Sequence, residues 1–95
     1  MPAKPTRAQI KPQVDHALNS ACKTHKLPTH KEPIDDGQEL FFDLGLGENI
    51  QSGLAVAYTA ISTRYTGGKP VSQKSAGDCE TVGDAVDLVH RRAQG

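Results

Sequence analysis

The chain has 95 residues, of which 36% are hydrophobic, with no tryptophan, two phenylalanines and two tyrosines. This length predicts one small domain, and its core must be built largely from Leu, Val, Ile and Ala. No run approaches the roughly 20 apolar residues that a membrane helix needs, and the polar N-terminus has no signal-peptide core. Two cysteines are too few for a secreted disulfide framework, so we expect a cytoplasmic protein with reduced thiols.

The formal net charge is zero, but the charges are unevenly distributed along the chain. Residues 1–33 carry six Lys or Arg against two acids, and residues 64–95 carry five against four. Residues 34–63 carry five acids and no Lys or Arg. This acidic third either attracts a partner with a basic docking surface or neutralises the protein's own basic arm. The scattered basic residues before it have no aromatic neighbours, which does not favour nucleic-acid binding.

The first periodic segment covers residues 7–25. Its apolar positions recur every four residues, which predicts an amphipathic helix. These positions are Ile10, Val14, Leu18 and Cys22. Pro12 falls in the first turn, where a missing amide costs little, so we expect the helix to start just before this proline. The helix should end before Pro28, because the residue preceding a proline avoids helical angles.

A loose C-x2-H-x4-H spacing, formed by Cys22, His25 and His30, begins in the last turn of the first helix and continues beyond it. Cys79 or His16 could supply a fourth ligand to zinc. No second paired ligand motif follows, and histidines around a turn are usually solvated. We therefore predict no metal site, and keep a small zinc-binding regulatory protein as an alternative hypothesis.

Residues 28–47 form a long connection that contains the run IDDGQELFFDLGL, from Ile34 to Leu46. In this run a paired-acid turn leads into two phenylalanines and then Asp-Leu-Gly-Leu. We expect at least one of Phe41 and Phe42 to point into the core.

A second helix is predicted from Gln51 or Ser52 to Tyr65, with one apolar face. Between Gln51 and Thr63 it contains no charged residue. That absence of charge predicts either deep burial of this helix, for example by self-association, or a partner that does not bind it through a basic surface. Residues 68–77 are Gly- and Ser-rich, and form either a linker or a short extra turn. A last helix begins near Thr81, with an acidic first turn.

The Phe-Phe-Asp-Leu-Gly run, set beside TVGDAVDLV at residues 81–89, resembles the acyl carrier protein family. Members of that family place a phenylalanine and an Asp-Leu-Gly run just before a helix that carries a modified serine. The resemblance implies an all-α bundle of three to four helices over residues 7–92, with a flexible arm at 1–6 and a flexible tail at 93–95. It also implies an interaction module in an acyl or polyketide thioester pathway, not an enzyme.

The position of the modified serine decides what the resemblance implies for activity. Counting on from Asp-Leu-Gly without an insertion reaches Gly47, Glu48 or Asn49, and none of them has a hydroxyl. The spacing of the apolar stripe instead selects Gln51. The nearest hydroxyl is on Ser52, which also suits a helix cap. We predict a carrier-like module without a prosthetic arm; the alternative is an acyl carrier protein with 4'-phosphopantetheine on Ser52.

In the hypothesis without a prosthetic arm, the protein docks on a basic surface of a partner protein. It does so through the acidic loop, Asp35 to Glu48, and the start of the second helix. The candidate partner-binding residues are Asp35, Asp36, Glu39, Asp43, Glu48 and Gln51. The predicted core comprises Ile10, Val14, Leu18, Phe41, Phe42, Leu44, Leu54, Tyr58, Ile61, Val82, Val86 and Val89.

Overall fold

A computed structural model describes residues 4–95 and shows four helices in that range. They are α1 (Arg7–Thr24), α2 (Glu48–Ser62), α3 (Gln73–Gly77) and α4 (Val82–Gln94). Helix α1 packs against α2 and α4, and α2 also packs against α3 and α4. The part of the chain described contains no β-strand, only an isolated bridge between Glu39 and Thr81. The prediction of a small all-α bundle is confirmed. None of these helices is long and apolar enough to cross a membrane.

Side-chain caps fix the starts of α1 and α4. Thr6 accepts a hydrogen bond from the Gln9 amide at 3.3 Å, and the Gln9 side chain accepts one from the Thr6 amide at 2.9 Å. Thr81 and Asp84 form the same reciprocal arrangement at the start of α4. Each such cap satisfies amides that a helix leaves without internal partners.

The first described residues pack against the C-terminal end of α4 more closely than predicted. The side-chain amide of Gln94 donates to the carbonyl of Pro5 at 2.7 Å, and Pro5 is itself buried. Helix α4 continues to Gln94 and Ala93 is fully buried, so the boundary predicted at residue 92 lies inside this helix. Of the predicted arm at 1–6, residues 1–3 lie outside the described range.

Helix α2 begins and ends three residues earlier than predicted, at Glu48 and Ser62. Gly47 is its N-cap, with an extended backbone and no side-chain hydrogen bond, so no capping side chain marks this start in the sequence. The suggested cap, Ser52, lies inside the helix, and that prediction is wrong. At the other end, the buried hydroxyl of Ser62 donates to the Lys69 carbonyl at 2.7 Å.

The predicted core is confirmed except for its two phenylalanines. Its other members are all at most 5% exposed: Ile10, Val14, Leu18, Leu44, Leu54, Tyr58, Ile61, Val82, Val86 and Val89. Phe41 and Phe42 are 56% and 77% exposed, so the expectation that one points inward is wrong.

The hydrogen bonds of the loop explain why leucines replace the phenylalanines in the core. The Asp43 amide donates to the Glu39 carbonyl at 2.9 Å, and the Gly45 amide donates to the Phe41 carbonyl at 3.1 Å. This turn has nearly helical spacing, which places residues four apart on one side. Leu40 and Leu44 therefore face the core together, and the phenylalanines between them face outward.

The region at 68–77 contains the short extra turn, α3. Ser72 caps it by accepting from the Ser75 amide at 3.1 Å, and Ala76 is fully buried beneath it. The side chain of Thr59 in α2 accepts from the Val71 amide at 2.9 Å, which attaches the segment before α3 to α2.

Candidate docking site

The exposed phenylalanines form an edge-to-face pair on the surface. Their ring centroids lie 5.0 Å apart, with the ring planes at 77°. They border a cleft of about 470 Å³ between the acidic loop, the start of α2 and the connection from α3 to α4. The cleft is lined by Glu39, Phe41, Phe42, Glu48, Gln51, Gly77, Cys79 and Glu80.

Backbone hydrogen bonds hold the loop side of this cleft against the start of α4. The Leu40 amide donates to the Glu80 carbonyl at 2.8 Å, and the Val82 amide donates to the Gln38 carbonyl at 2.9 Å. Leu40 is fully buried on the inner side of the same segment. The main chain that carries Glu39, Phe41 and Glu80 is therefore fixed by contacts that do not use their side chains.

The cleft is negatively charged. Glu39, Glu48 and Glu80 are all exposed, and within residues 4–95 none of their carboxylates makes an ion pair. Glu48 also lies in the first turn of α2, where a negative charge complements the helix dipole. No Lys or Arg side chain of the described range lines the cleft. Its three carboxylates are therefore available to an external cation.

The remaining predicted partner-binding residues have internal roles. The Asp43 carboxylate accepts from the Glu39 amide at 2.7 Å, and that of Asp35 accepts from the Gly37 amide at 2.8 Å. Gln51 is 7% exposed, and its side-chain amide donates to the Leu46 carbonyl at 2.7 Å. These contacts shape the loop and join it to α2.

Asp36 neutralises basic residues of the protein itself. Its carboxylate lies 2.9 Å from both the Arg7 guanidinium and the Lys11 ammonium, and Arg7 also pairs with Asp87 at 2.6 Å. The hydrogen bond from Lys11, followed by that from Arg7, lowers the pKa of Asp36 against the opposing effect of burial. For this residue the interpretation as an internal counter-ion applies.

A buried carboxylate anchors the start of the loop to α1. Asp15 is fully buried, lies 3.2 Å from the Lys11 ammonium, and accepts a hydrogen bond from the Ile34 amide at 3.1 Å. Sequence reasoning missed this residue because it lies beside the apolar stripe of α1. The spacing of Lys11 and Asp15, four residues apart on one helix, was the available signal.

Ser52, the candidate attachment site, is half-buried in α2. A Cβ atom added to Gly77 would lie 3.1 Å from its hydroxyl oxygen, so this hydroxyl faces α3. Glu48, and not Ser52, occupies the first position of the helix.

The weak zinc candidates do not form a ligand cluster. Cys22 is fully buried in the core, His25 is exposed, and the His30 amide donates to Asn19 at 2.8 Å. Residues 4–95 contain no group of three or more His, Cys, Asp or Glu side chains placed to hold a metal ion. Burial raises the pKa of the Cys22 thiol, and it raises that of Cys79 to about 11, so both favour the protonated form at neutral pH.

The uncharged side of α2 is not deeply buried within the chain. Val56 is 76% exposed, beside a mostly apolar groove of about 690 Å³ between α1 and α2. Small side chains line much of this groove, among them Ala17, Ala21, Gly53, Ala57 and Ala60. Self-association through α2 stays a prediction.

Comparisons of the chain with protein-family models, with curated proteins and with solved structures find no match. The resemblance to acyl carrier proteins therefore rests on the sequence motifs alone and stays a prediction.

Proposed function

We propose that the chain is a divergent acyl-carrier-like interaction module, without a phosphopantetheine arm, that docks on a partner protein through the acidic cleft. The observation that carries this proposal is the place of Glu48. The Asp-Leu-Gly run at 43–45 is followed directly by Leu46, the N-cap Gly47, and Glu48 as the first residue of α2. A carboxylate therefore stands where the family pattern calls for a hydroxyl at the opening of the helix.

The burial pattern of α2 is compatible with the register without an insertion. A carrier helix buries positions one, four, seven, ten and fourteen after its modified serine, and counting from Glu48 reaches Asn49, Ser52, Ala55, Tyr58 and Ser62. The last three are buried, whereas Asn49 is exposed and Ser52 is half-buried. Counting from Gln51 also gives three buried positions of five, so the start of α2 directly after Asp-Leu-Gly, and not burial, favours Glu48. The buried Ser62 is accommodated because its hydroxyl bonds to backbone carbonyls of Thr59 and Lys69.

A carboxylate at this position cannot form the phosphodiester that attaches the arm. The features that remain are the acidic charge and the exposed rings beside it, which suit docking rather than chemistry. We propose no catalytic role, and we place the module in the cytoplasm and in a pathway of acyl or polyketide thioesters.

Intact-mass measurement tests this proposal. The purified protein is incubated with coenzyme A and a phosphopantetheinyl transferase of broad specificity, and its mass is compared with that of Ser52→Ala. We expect both to keep their mass. A gain of one phosphopantetheine by the wild type, absent in Ser52→Ala, would show that the chain is a working carrier modified at Ser52.

The Glu48→Ser variant tests whether position 48 corresponds to the modified serine of a carrier protein, independently of whether the wild type lacks the arm. It restores a hydroxyl at the first position of α2, and we expect the transferase to load it. A folded Glu48→Ser protein that is not loaded would contradict the carrier-like register, even if the wild type carries no arm.

A further inference from the structure

The exposure of two neighbouring phenylalanines does not contribute to the stability of the fold and needs another explanation. Phe41 and Phe42 are the only phenylalanines of the chain, and both residues are more than half exposed. Neighbouring residues Leu40 and Leu44 are buried within the same turn. The fold thus presents its largest apolar side chains next to each other on the surface, which is typical of an interaction site.

The negative charges around the rings restrict which chemical groups can bind in the cleft. Glu39, Glu48 and Glu80 come from three different parts of the chain, and all line the cleft that the rings border. In the described range no Lys or Arg side chain lines this cleft to neutralise them. An occupant must therefore supply positive charge together with a surface that packs on aromatic rings.

A guanidinium group meets both requirements. It is planar, stacks on aromatic faces, and offers several N–H donors to carboxylates in a fixed arrangement. An ammonium group satisfies the charge, but it is more strongly hydrated and has no flat face. The volume of about 470 Å³ also leaves space for apolar groups beside the guanidinium.

We propose that the cleft binds an arginine side chain of the partner protein, within a segment that also presents apolar residues to the phenylalanines. The guanidinium packs on the pair of rings, and the three glutamates accept its hydrogen bonds. This inference rests on the proposed docking role and names the chemistry that the docking face recognises.

The test uses three acetylated and amidated pentapeptides, Ala-Leu-X-Leu-Ala, in which X is arginine, lysine or citrulline. Each is titrated into the ¹⁵N-labelled protein, and the amide shifts of Glu39, Phe42, Gly77 and Glu80 are followed by NMR. We expect the citrulline peptide, which lacks the charge but keeps the shape, to bind about tenfold more weakly than the arginine peptide or worse. The lysine peptide should lie between them. Equal binding of the arginine and citrulline peptides would overturn the proposal.

Two variants test the contributions of the rings and the charge. We expect Phe42→Ala and Glu48→Gln each to weaken the arginine peptide by about fivefold or more. The matched control is Val56→Ala, because this side chain is 76% exposed and does not line the cleft, and it should bind like the wild type.

The outcomes also separate this inference from the docking role. If arginine and lysine peptides bind equally, depend on Glu48 and ignore Phe42→Ala, the face is an electrostatic docking site and the arginine inference is wrong. If none of the peptides shifts these amides at millimolar concentration, both the inference and docking through this cleft are wrong.

Discussion

At the scale of single residues, the acidic loop divides its carboxylates between two uses. Asp36 is held between Arg7 and Lys11, whereas Glu39 and Glu48 make no ion pair within residues 4–95. The side chain of Asp36 is 43% exposed, and such partly exposed pairs contribute modestly to stability. Their value here is that they fix the loop against α1 while the glutamates remain available.

The lowered pKa of Asp36 predicts a specific dependence of stability on pH. The unfolded chain protonates this group near pH 4, and the folded protein does so at a lower pH. The stabilisation is therefore present above about pH 4, and it is lost as the pH falls through the lower pKa of the folded state. We expect the free energy of unfolding of Asp36→Asn, measured in urea, to change less than that of the wild type between about pH 5 and pH 2.

Asp35→Asn is the matched control. Among residues 4–95 its carboxylate bonds only to the nearby Gly37 amide, so we expect this variant to follow the wild-type pH dependence. Parallel pH profiles for the wild type and Asp36→Asn would show that the cluster with Arg7 and Lys11 does not stabilise the fold.

At the scale of elements, the turn between α2 and α3 leaves no room for a side chain at Gly68. The Gly68 amide donates to the Tyr65 carbonyl at 2.9 Å, and the next amide, of Lys69, donates to the Arg92 carbonyl in α4 at 2.8 Å. A Cβ atom on Gly68 would lie 1.9 Å from the Ser62 carbonyl oxygen. Only glycine fits this turn, which connects the end of α2 to α4.

Two glycine substitutions should therefore act in opposite directions. We expect Gly68→Ala to lower the free energy of unfolding by about 2 kcal/mol or more, because backbone must move. Gly53→Ala, in the exposed middle of α2 with nothing within 4 Å of the new methyl, should raise it by about 0.5–1 kcal/mol. Urea unfolding measures both. Equal stability of the two variants would contradict the packing described for the turn.

The helices differ in how far the sequence predicts them, and capping explains the difference. The start of α4 is predicted near Thr81, whose side chain caps the helix before a regular apolar stripe. The start of α1 predicted just before Pro12 is wrong, because the reciprocal cap of Thr6 and Gln9 starts the helix at Arg7 and Pro12 lies inside it. Helix α2 has Gly47 as its cap, which leaves no such signal, and the polar Ser52 suggests a false start. Helix α3 is too short to show a period.

The candidate site is predictable only in part. Glu39 and Glu48 follow from the charge distribution, but Glu80 reaches them only through the packing of α4 against the loop. A run of three apolar residues does not reveal which side faces inward. The hydrogen bonds of the turn decide that Leu40 is buried and that Phe41 and Phe42 are not.

At the scale of the whole molecule, zero net charge does not mean a neutral surface. Arg7 and Lys11 are paired with Asp15, Asp36 and Asp87 on one side of the bundle. The glutamates of the cleft have no such partners within the described range. The fold therefore keeps a local negative field beside two exposed rings, and this combination can steer a basic partner at low ionic strength.

The docking surface is tested most directly by the stability of the double variant Phe41→Ala/Phe42→Ala, compared with that of Leu40→Ala by urea unfolding. If the rings form a contact surface, we expect the double variant to lose no more than about 1 kcal/mol, since surface substitutions cost little. Leu40→Ala should lose about 2–5 kcal/mol, because it empties a fully buried site. A loss of about 3–5 kcal/mol in the double variant would place the rings in the core and contradict the docking surface.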